Sequence, residues 1–422
     1  MRGTLASVML STCLAACGGG SATPSEPPAS TAPTPEAAPA KAATSQRALL
    51  LGQAWFKKEL SGAPKPQPAK LVVAREVNGQ WTTEELLDPE SNVFHKAMPW
   101  RGGILTIGAM KAKLVHWTKV DGAWTPQLLW EKSWGGKFDR LRDVETGDVT
   151  GDGKENLVIA THDQGVVAVG TEVDGAWTFA ELDQTADRFV HEIELGDVDG
   201  DGKKELYATP SDRNRASGES QPGGVVRYDY IDGAFVRSEV IHWDDSHAKE
   251  ILVADLTGDG RDELYAVKEA HTRKDPSGEI EVIEPVRIER LDRGADGKWT
   301  STLIAHIDDR QCRFLVPGDV DGDGKKDLIA ASWKKGLFLL RQGADGSFST
   351  ELIDAQSGGF EHAAHLADLD GDGHPELYVA DDAHSAVNRY RWTDGAFQKE
   401  AILATPALHI TWNIQDMAVG GE

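Results

Sequence analysis

The sequence predicts an all-β fold: a seven-bladed β-propeller of four-stranded antiparallel blades, closed by the C-terminal strand. Three observations predict it. First, a turn dipeptide followed by any residue and an aromatic recurs seven times, at 78–81, 121–124, 174–177, 232–235, 296–299, 345–348 and 394–397. Asn-Gly and Asp-Gly supply the positive φ angles of tight hairpin turns, and the aromatic then enters a strand. Second, one acidic loop template recurs five times, each copy between a hydrophobic segment and a strand-like Leu-Tyr or Leu-Val/Ile run. Third, helical periodicity is absent.

The elements follow in order along the chain of 422 residues. Met1-Arg2 and the apolar run Leu5 to Ala16 read as a signal peptide, too short for a membrane span. The run ends in Leu14-Ala15-Ala16-Cys17-Gly18, which resembles the bacterial lipoprotein box. That resemblance implies lipidation of Cys17; the alternative is an ordinary secretory signal cleaved after an alanine. Gly18 rather than Asp after the cysteine implies an outer-membrane lipoprotein, facing the periplasm or the cell surface. Residues 18–46 are rich in Pro, Ala, Ser and Thr and read as a disordered tether. The propeller is expected over 47–422.

Residues 47–90 supply three strands. Residues 92–130 form a complete blade whose first hairpin closes at Arg101-Gly-Gly, without an acidic loop. The following units read more regularly. In one of them His191–Leu195 is strand one, Leu206–Thr209 strand two, Val225–Ile231 strand three and Phe235–Ile241 strand four. Four short antiparallel strands per unit of about fifty residues describe a propeller blade, stable only against its neighbours. One strand, His409–Asp416, is left over at the C-terminus. It is expected to complete the N-terminal blade and so remove an open edge.

The acidic loops run from Asp148 to Asn156, Asp197 to Glu205, Asp255 to Glu263, Asp319 to Asp327 and Asp368 to Glu376. Oxygen-bearing residues stand at positions one, three, five and nine. They are Asp148, Thr150, Asp152, Asn156; Asp197, Asp199, Asp201, Glu205; Asp255, Thr257, Asp259, Glu263; Asp319, Asp321, Asp323, Asp327; and Asp368, Asp370, Asp372, Glu376. The position-seven residues Lys154, Lys203, Arg261, Lys325 and His374 are counted with the metal loops. A hard cation with six to eight oxygen ligands needs this density of oxygens folded onto one point, so the loops are read as up to five calcium sites.

The formal net charge is −24, which makes nucleic acid an unsuitable partner. Acidic side chains at the four ligand positions number 2, 4, 3, 4 and 4 in loop order, 17 in all. Five divalent ions would bring the net charge to −14, so much of the acidity is a binding feature. Among three cysteines only Cys312 lies beyond the N-terminal segment, which excludes a disulfide framework and suits a small buried residue.

At this point the unit resembles the FG-GAP/VCBS repeat, known from the calcium-bearing propeller of integrin alpha chains and from secreted bacterial proteins. The resemblance covers almost all of the expected domain. Thr150 and Thr257 depart from it at position three. With Asn156 at position nine, the first loop is expected to be the weakest calcium site.

Strand connectivity sorts the loops onto two faces. The acidic loops and the Asx-Gly turns share one. The other holds His162, His247 and Arg310, and the inserts 211–223 and 268–280. Six residues before each loop stand Arg142, His191, Lys249, Arg313 and His362, expected to form a basic ring around the axis that takes an anion or sugar acid. The alternative is that these groups simply pair with Asp143, Glu192 and Glu250. No nucleophile elbow, phosphate loop, zinc-protease helix or kinase signature appears, and calcium is the only cofactor implied.

Two functions remain. The first is a calcium-stabilised, monomeric binding or scaffold module with a glycan or protein ligand, touching the membrane only through its lipid. The second is a carbohydrate-active enzyme of polysaccharide lyase or sugar dehydratase type, with its site on the face opposite the loops.

Overall fold

Among the described residues of the computed structural model there are thirty-one short strands and a single 3-10 turn, Asp382–His384. The structure describes residues 46–59, 61–215 and 217–419; the signal peptide, Cys17 and the tether up to residue 45 lie outside the described residues. Seven antiparallel sheets of the predicted four-strand type follow one another along the chain. In blade two, for instance, Phe94–Trp100, Gly103–Gly108, Ala112–Val120 and Ala123–Lys132 pair in sequence order.

Blade one is the composite. Its strands Arg47–Lys58, Ala69–Val77 and Gln80–Asp88 are joined by His409–Ala418, which pairs with Arg47–Lys58 from Arg47↔Ala418 to Trp55↔His409. The predicted closure is therefore present, running two residues beyond the expected end. A short extra strand, Pro64–Pro66, adds to the far end of Arg47–Lys58.

The turns show why the dipeptide repeats. Asp174 (φ 51°) and Gly175 (φ 79°) both take the left-handed region that a two-residue hairpin turn needs. Two turns differ. At 294–298 and 343–347 only the glycine of the Asp-Gly pair has positive φ, because a preceding Gly-Ala lengthens the loop and Gly294 and Gly343 close it by backbone hydrogen bonds. The aromatics that follow the turns bind blade to blade. Trp299 meets Tyr207 of the preceding blade, Phe348 meets Tyr265, and Trp81 meets Tyr378 across the closure, all edge-on with centroids 6.3–6.4 Å apart. Such pairs add to the apolar area that each blade buries against the next. Cys312 is fully buried, and burial pushes its thiol up, as suits a packing residue.

Candidate functional site

Each acidic loop folds around its first carboxylate. In the second loop Asp197 accepts the N–H groups of Gly200 at 2.7 Å, Asp201 at 2.9 Å and Gly202 at 2.7 Å. Gly200 (φ 75°) and Gly202 (φ 86°) hold the left-handed turns that point those N–H groups inward. The position-five carboxylate accepts the N–H of position seven in all five loops, for example Asp201 from Lys203 at 2.9 Å. Position seven thus offers its backbone, while side chains such as Lys154, Lys203 and His374 are exposed.

Four loops gather at least three carboxylates with oxygens within 4.8 Å of one another: Asp197, Asp199, Asp201 and Glu205; Asp255, Asp259 and Glu263; Asp319, Asp321 and Asp323; Asp368, Asp370 and Asp372. At its ligand positions the first loop has only the carboxylates of Asp148 and Asp152, and its Asn156 spends its side chain on Val149 N–H (3.2 Å) and Gly170 O (3.2 Å). The donors are oxygens throughout, which fits a hard cation such as calcium and suits no soft metal. Arginines from strand three press on the position-three carboxylates. Arg227 donates to Asp199 at 2.6 Å, Arg391 lies 3.3 Å from Asp370, and Arg341 pairs with Asp321. Thr150 and Thr257 instead bond within their own loops.

The opposite face is organised by β-bulges. In four blades the ladder skips the residue six places before the loop, or that residue and the next, and these are the sequence-derived ring positions. Arg142 falls between the pairs of Leu141 and Asp143, His191 between Val190 and Ile193, Lys249 between Ala248 and Glu250, and Arg313 between Cys312 and Phe314. A bulge bends its strand and re-aims the side chain it frees. The two blades without acidic loops carry the same device, at His95-Lys96 and at Trp412. Loop-based counting could not reach these two, because there was no loop to count from.

The bulged residues meet near the axis. His95 packs edge-on against Trp412 at 4.6 Å, and the Arg142 guanidinium lies 5.2 Å from the Trp412 ring. Arg142 and Arg313 both pair with Glu361, and Lys249 reaches Glu269 at 3.7 Å. Arg313 also lies 4.4 Å from the ring of Phe360. The acids expected to quench this ring are otherwise engaged: Asp143 binds Lys96 at 2.8 Å, and Glu250 accepts the N–H of Leu315 at 3.0 Å.

One sequence expectation needs correction. His362 does not join the ring. It precedes the short inner strand Ala364–Ala367, has φ 60°, and is locked between Ser332 O (2.6 Å) and Ser357 Oγ (2.8 Å). Glu361 takes the axial place, so blade seven contributes an anion where a cation was expected. Burial lowers the His191 pKa well below its ordinary value, with Lys249 adding to the effect, and burial also lowers that of His362. Histidine side-chain NMR titrated from about pH 8 to about pH 6 should find the His191 imidazole neutral throughout; a midpoint for it in that interval would contradict the burial seen here.

Burial holds the Lys249 ammonium down to about 8, against the pull of Glu269. Below the ring, burial raises Glu250 to about 8 and Glu192 well above the carboxylate range.

The family model for FG-GAP-like repeats matches residues 148–208 and 319–379. The chain carries FG-GAP-like repeats. Each matched segment runs from one acidic loop through the next, so four of the five loops lie inside FG-GAP-like matches; the third, with Thr257, lies outside. No curated protein matches the chain in sequence. Among solved structures, it is similar to a candidate 6-phosphogluconolactonase of Bacteroides fragilis NCTC 9343, with TM-score 0.54 and 12% identity over 88% of this chain and 98% of that one. Another, from Bacteroides uniformis ATCC 8492, gives TM-score 0.56 and 12% identity over 88% and 100%. The periplasmic gluconolactonase of Pseudomonas aeruginosa gives 0.50 and 13% over 89% and 99%. At these identities the FG-GAP repeat chain shares the propeller fold with them and nothing finer is carried over.

Proposed function

We propose that this chain is a calcium-stabilised binding or scaffold module, held outside the inner membrane by a lipid on Cys17, monomeric and without a nucleic-acid partner. The metal loops serve the fold, and the bulge-built face receives a glycan or protein ligand. One observation carries the reading: Arg142, Lys249 and Arg313 converge with Trp412 and Phe360 on the face away from every acidic loop. Cations beside aromatic faces suit anionic, partly apolar ligands. Probing an acidic and neutral glycan array with the full chain tests it. Binding lost in Arg313→Ala, with the fold intact, is the expected result; no glycan binding and no protein captured would overturn it.

A second reading, an enzyme acting on sugars, is favoured by the buried Lys249, whose ammonium burial holds down to about 8 where it lies beside Glu269 and near His247, since a displaced amine is a mark of reactive groups. Incubation with acidic polysaccharides, sugar acids and gluconolactone, followed by product analysis, separates the two readings; turnover abolished in Lys249→Met would establish the second.

The anchor has its own test. Cys17→Ser should move the protein from the membrane fraction to the soluble fraction. A variant that still sediments with membranes after a high-salt wash would show that the lipid is not what holds it. Among the described residues no helix is long and apolar enough to cross a membrane.

A further inference from the structure

Seventeen buried side-chain nitrogens and oxygens among the described residues lack a hydrogen-bond partner, and five of them sit on residues lining one cavity. They are His247 Nδ1, Glu269 Oε1, Arg310 Nε, Gln311 Oε1 and Arg313 Nε. His247 and Glu269 are each 4% exposed and Arg313 8%. The cavity holds about 200 Å³ on the face opposite the acidic loops. Its walls are the two inserts, which are stitched together. Ser220 N–H donates to Thr272 Oγ1 and Thr272 N–H to Ser220 Oγ, both at 2.9 Å, and Arg310 donates to Gly218 O at 3.0 Å. Phe360, 43% exposed, forms part of the lining.

We infer that this cavity is the module's ligand site and takes a single sugar acid, one ring bearing a carboxylate and several hydroxyls. This deepens the recognition reading above and rests on it. Buried polar groups without partners are costly, and a clustering of them points to something that completes them. The five atoms are of both kinds. The guanidinium N–H groups of Arg310 and Arg313 are donors; the oxygens of Glu269 and Gln311 are acceptors. Arg313 Nε and Glu269 Oε1 face each other at 3.5 Å, too open for a good bond. An apolar ligand would leave all of them unpaired. A simple anion would serve the donors, but would be repelled by Glu269 and would offer Gln311 nothing. A carboxylate with neighbouring hydroxyls satisfies both sets, and Phe360 can carry the C–H face of the ring. The charge agrees: Arg215, Lys249, Arg310 and Arg313 against Glu219 and Glu269 leave the lining at +2 in a chain of −24. The volume lies below the ~300–1,000 Å³ of drug-sized sites, which suits one ring rather than a long oligomer.

Calorimetric titration of the calcium-loaded protein with galacturonate and glucuronate, beside galactose, glucose and inorganic phosphate, tests the assignment. Either uronate should bind at least about tenfold more tightly than its neutral sugar and than phosphate. Glu269→Gln and Arg310→Met should each weaken that binding by about tenfold or more at an unchanged melting temperature. Arg310 is only partly buried, so its variant keeps the test sound if Glu269→Gln unfolds. Uronate binding untouched by Arg310→Met would overturn the cavity assignment while leaving the recognition reading standing. Phosphate binding as tightly as uronate would reduce the cavity to an anion site. No binding of any probe, with no glycan bound on the array and no protein captured, would leave ordered water as the cavity's content and sink both ideas.

Discussion

A chain lacking residues 408–422 should lose cooperative unfolding altogether. The strand His409–Ala418 contributes nine register pairs to Arg47–Lys58, and Val419 N–H reaches Gln46 O at 2.9 Å beyond them. It also reaches the next blade, where Asn413 Oδ1 accepts Ala97 N–H at 2.9 Å. Ile414 is 1% exposed, and its burial alone is worth about 1.5–3 kcal/mol. A domain's whole stability is about 5–15 kcal/mol, so losing the strand, its ladder and its contact with the next blade together removes most of it. The bared strand would then present unpaired N–H and C=O groups, a template for aggregation. Thermal melts followed by circular dichroism and light scattering check this. Ile414→Asp, which keeps the chain length, should shift the melt in the same direction. A truncated protein that melts like the parent would refute the closure.

Removing calcium should lower the melting temperature on the order of 10 °C. Sites with dissociation constants of ~10⁻⁴–10⁻³ M, in about 10 mM calcium, each add about 1.4–2.7 kcal/mol by mass action. Four such sites acting on a domain of this size give the stated shift, at about 2.1 cal/mol/K of unfolding entropy per residue. The direction follows from the loops: four of them hold at least three carboxylate oxygens within 4.8 Å, and without an ion these repel. Asp323→Ala should erase more of the calcium-dependent shift than Asp152→Ala, because the first loop has just two carboxylates at its ligand positions and its Asn156 is committed to the backbone. Identical melts in calcium and in chelator would sink the calcium reading. Arg227, Arg341 and Arg391 already partly neutralise position three, so replacing Arg227 by Met should enlarge the calcium response of the second loop.

The fold was legible because propeller blades write their architecture locally. The hairpin dipeptides and acidic loops mark strand ends, and the spare strand at 409–416 has only one incomplete blade to join. The ring was legible in part. Counting six residues back found Arg142, His191, Lys249 and Arg313 because the bulge sits at the same distance from the loop in those blades. It failed at His362, where the inner strand shortens to four residues and the chain turns before reaching it. Nothing in the local sequence marks that turn. Trp412 and His95 were missed because their blades have no acidic loop. A search for a polar or aromatic residue interrupting the alternation of each first strand would have found both. Glu269 and Glu361 were missed because their partners lie on other strands, for Glu361 in other blades, and single-strand periodicity is blind to such pairs.

The recurring bulge has a further consequence, for how such a molecule can change. A bulged residue belongs to no ladder pair, so its identity places little demand on strand register. Six blades hold such a position around a common centre. The propeller therefore keeps the residues that set its ladders apart from those that the bulges turn toward the centre. On the binding reading proposed above, substitutions drawn at Trp412, Lys96, Arg142, Lys249 and Arg313 would change what the surface selects while the sheets beneath continue to assemble, which makes those positions a natural starting library for testing specificity.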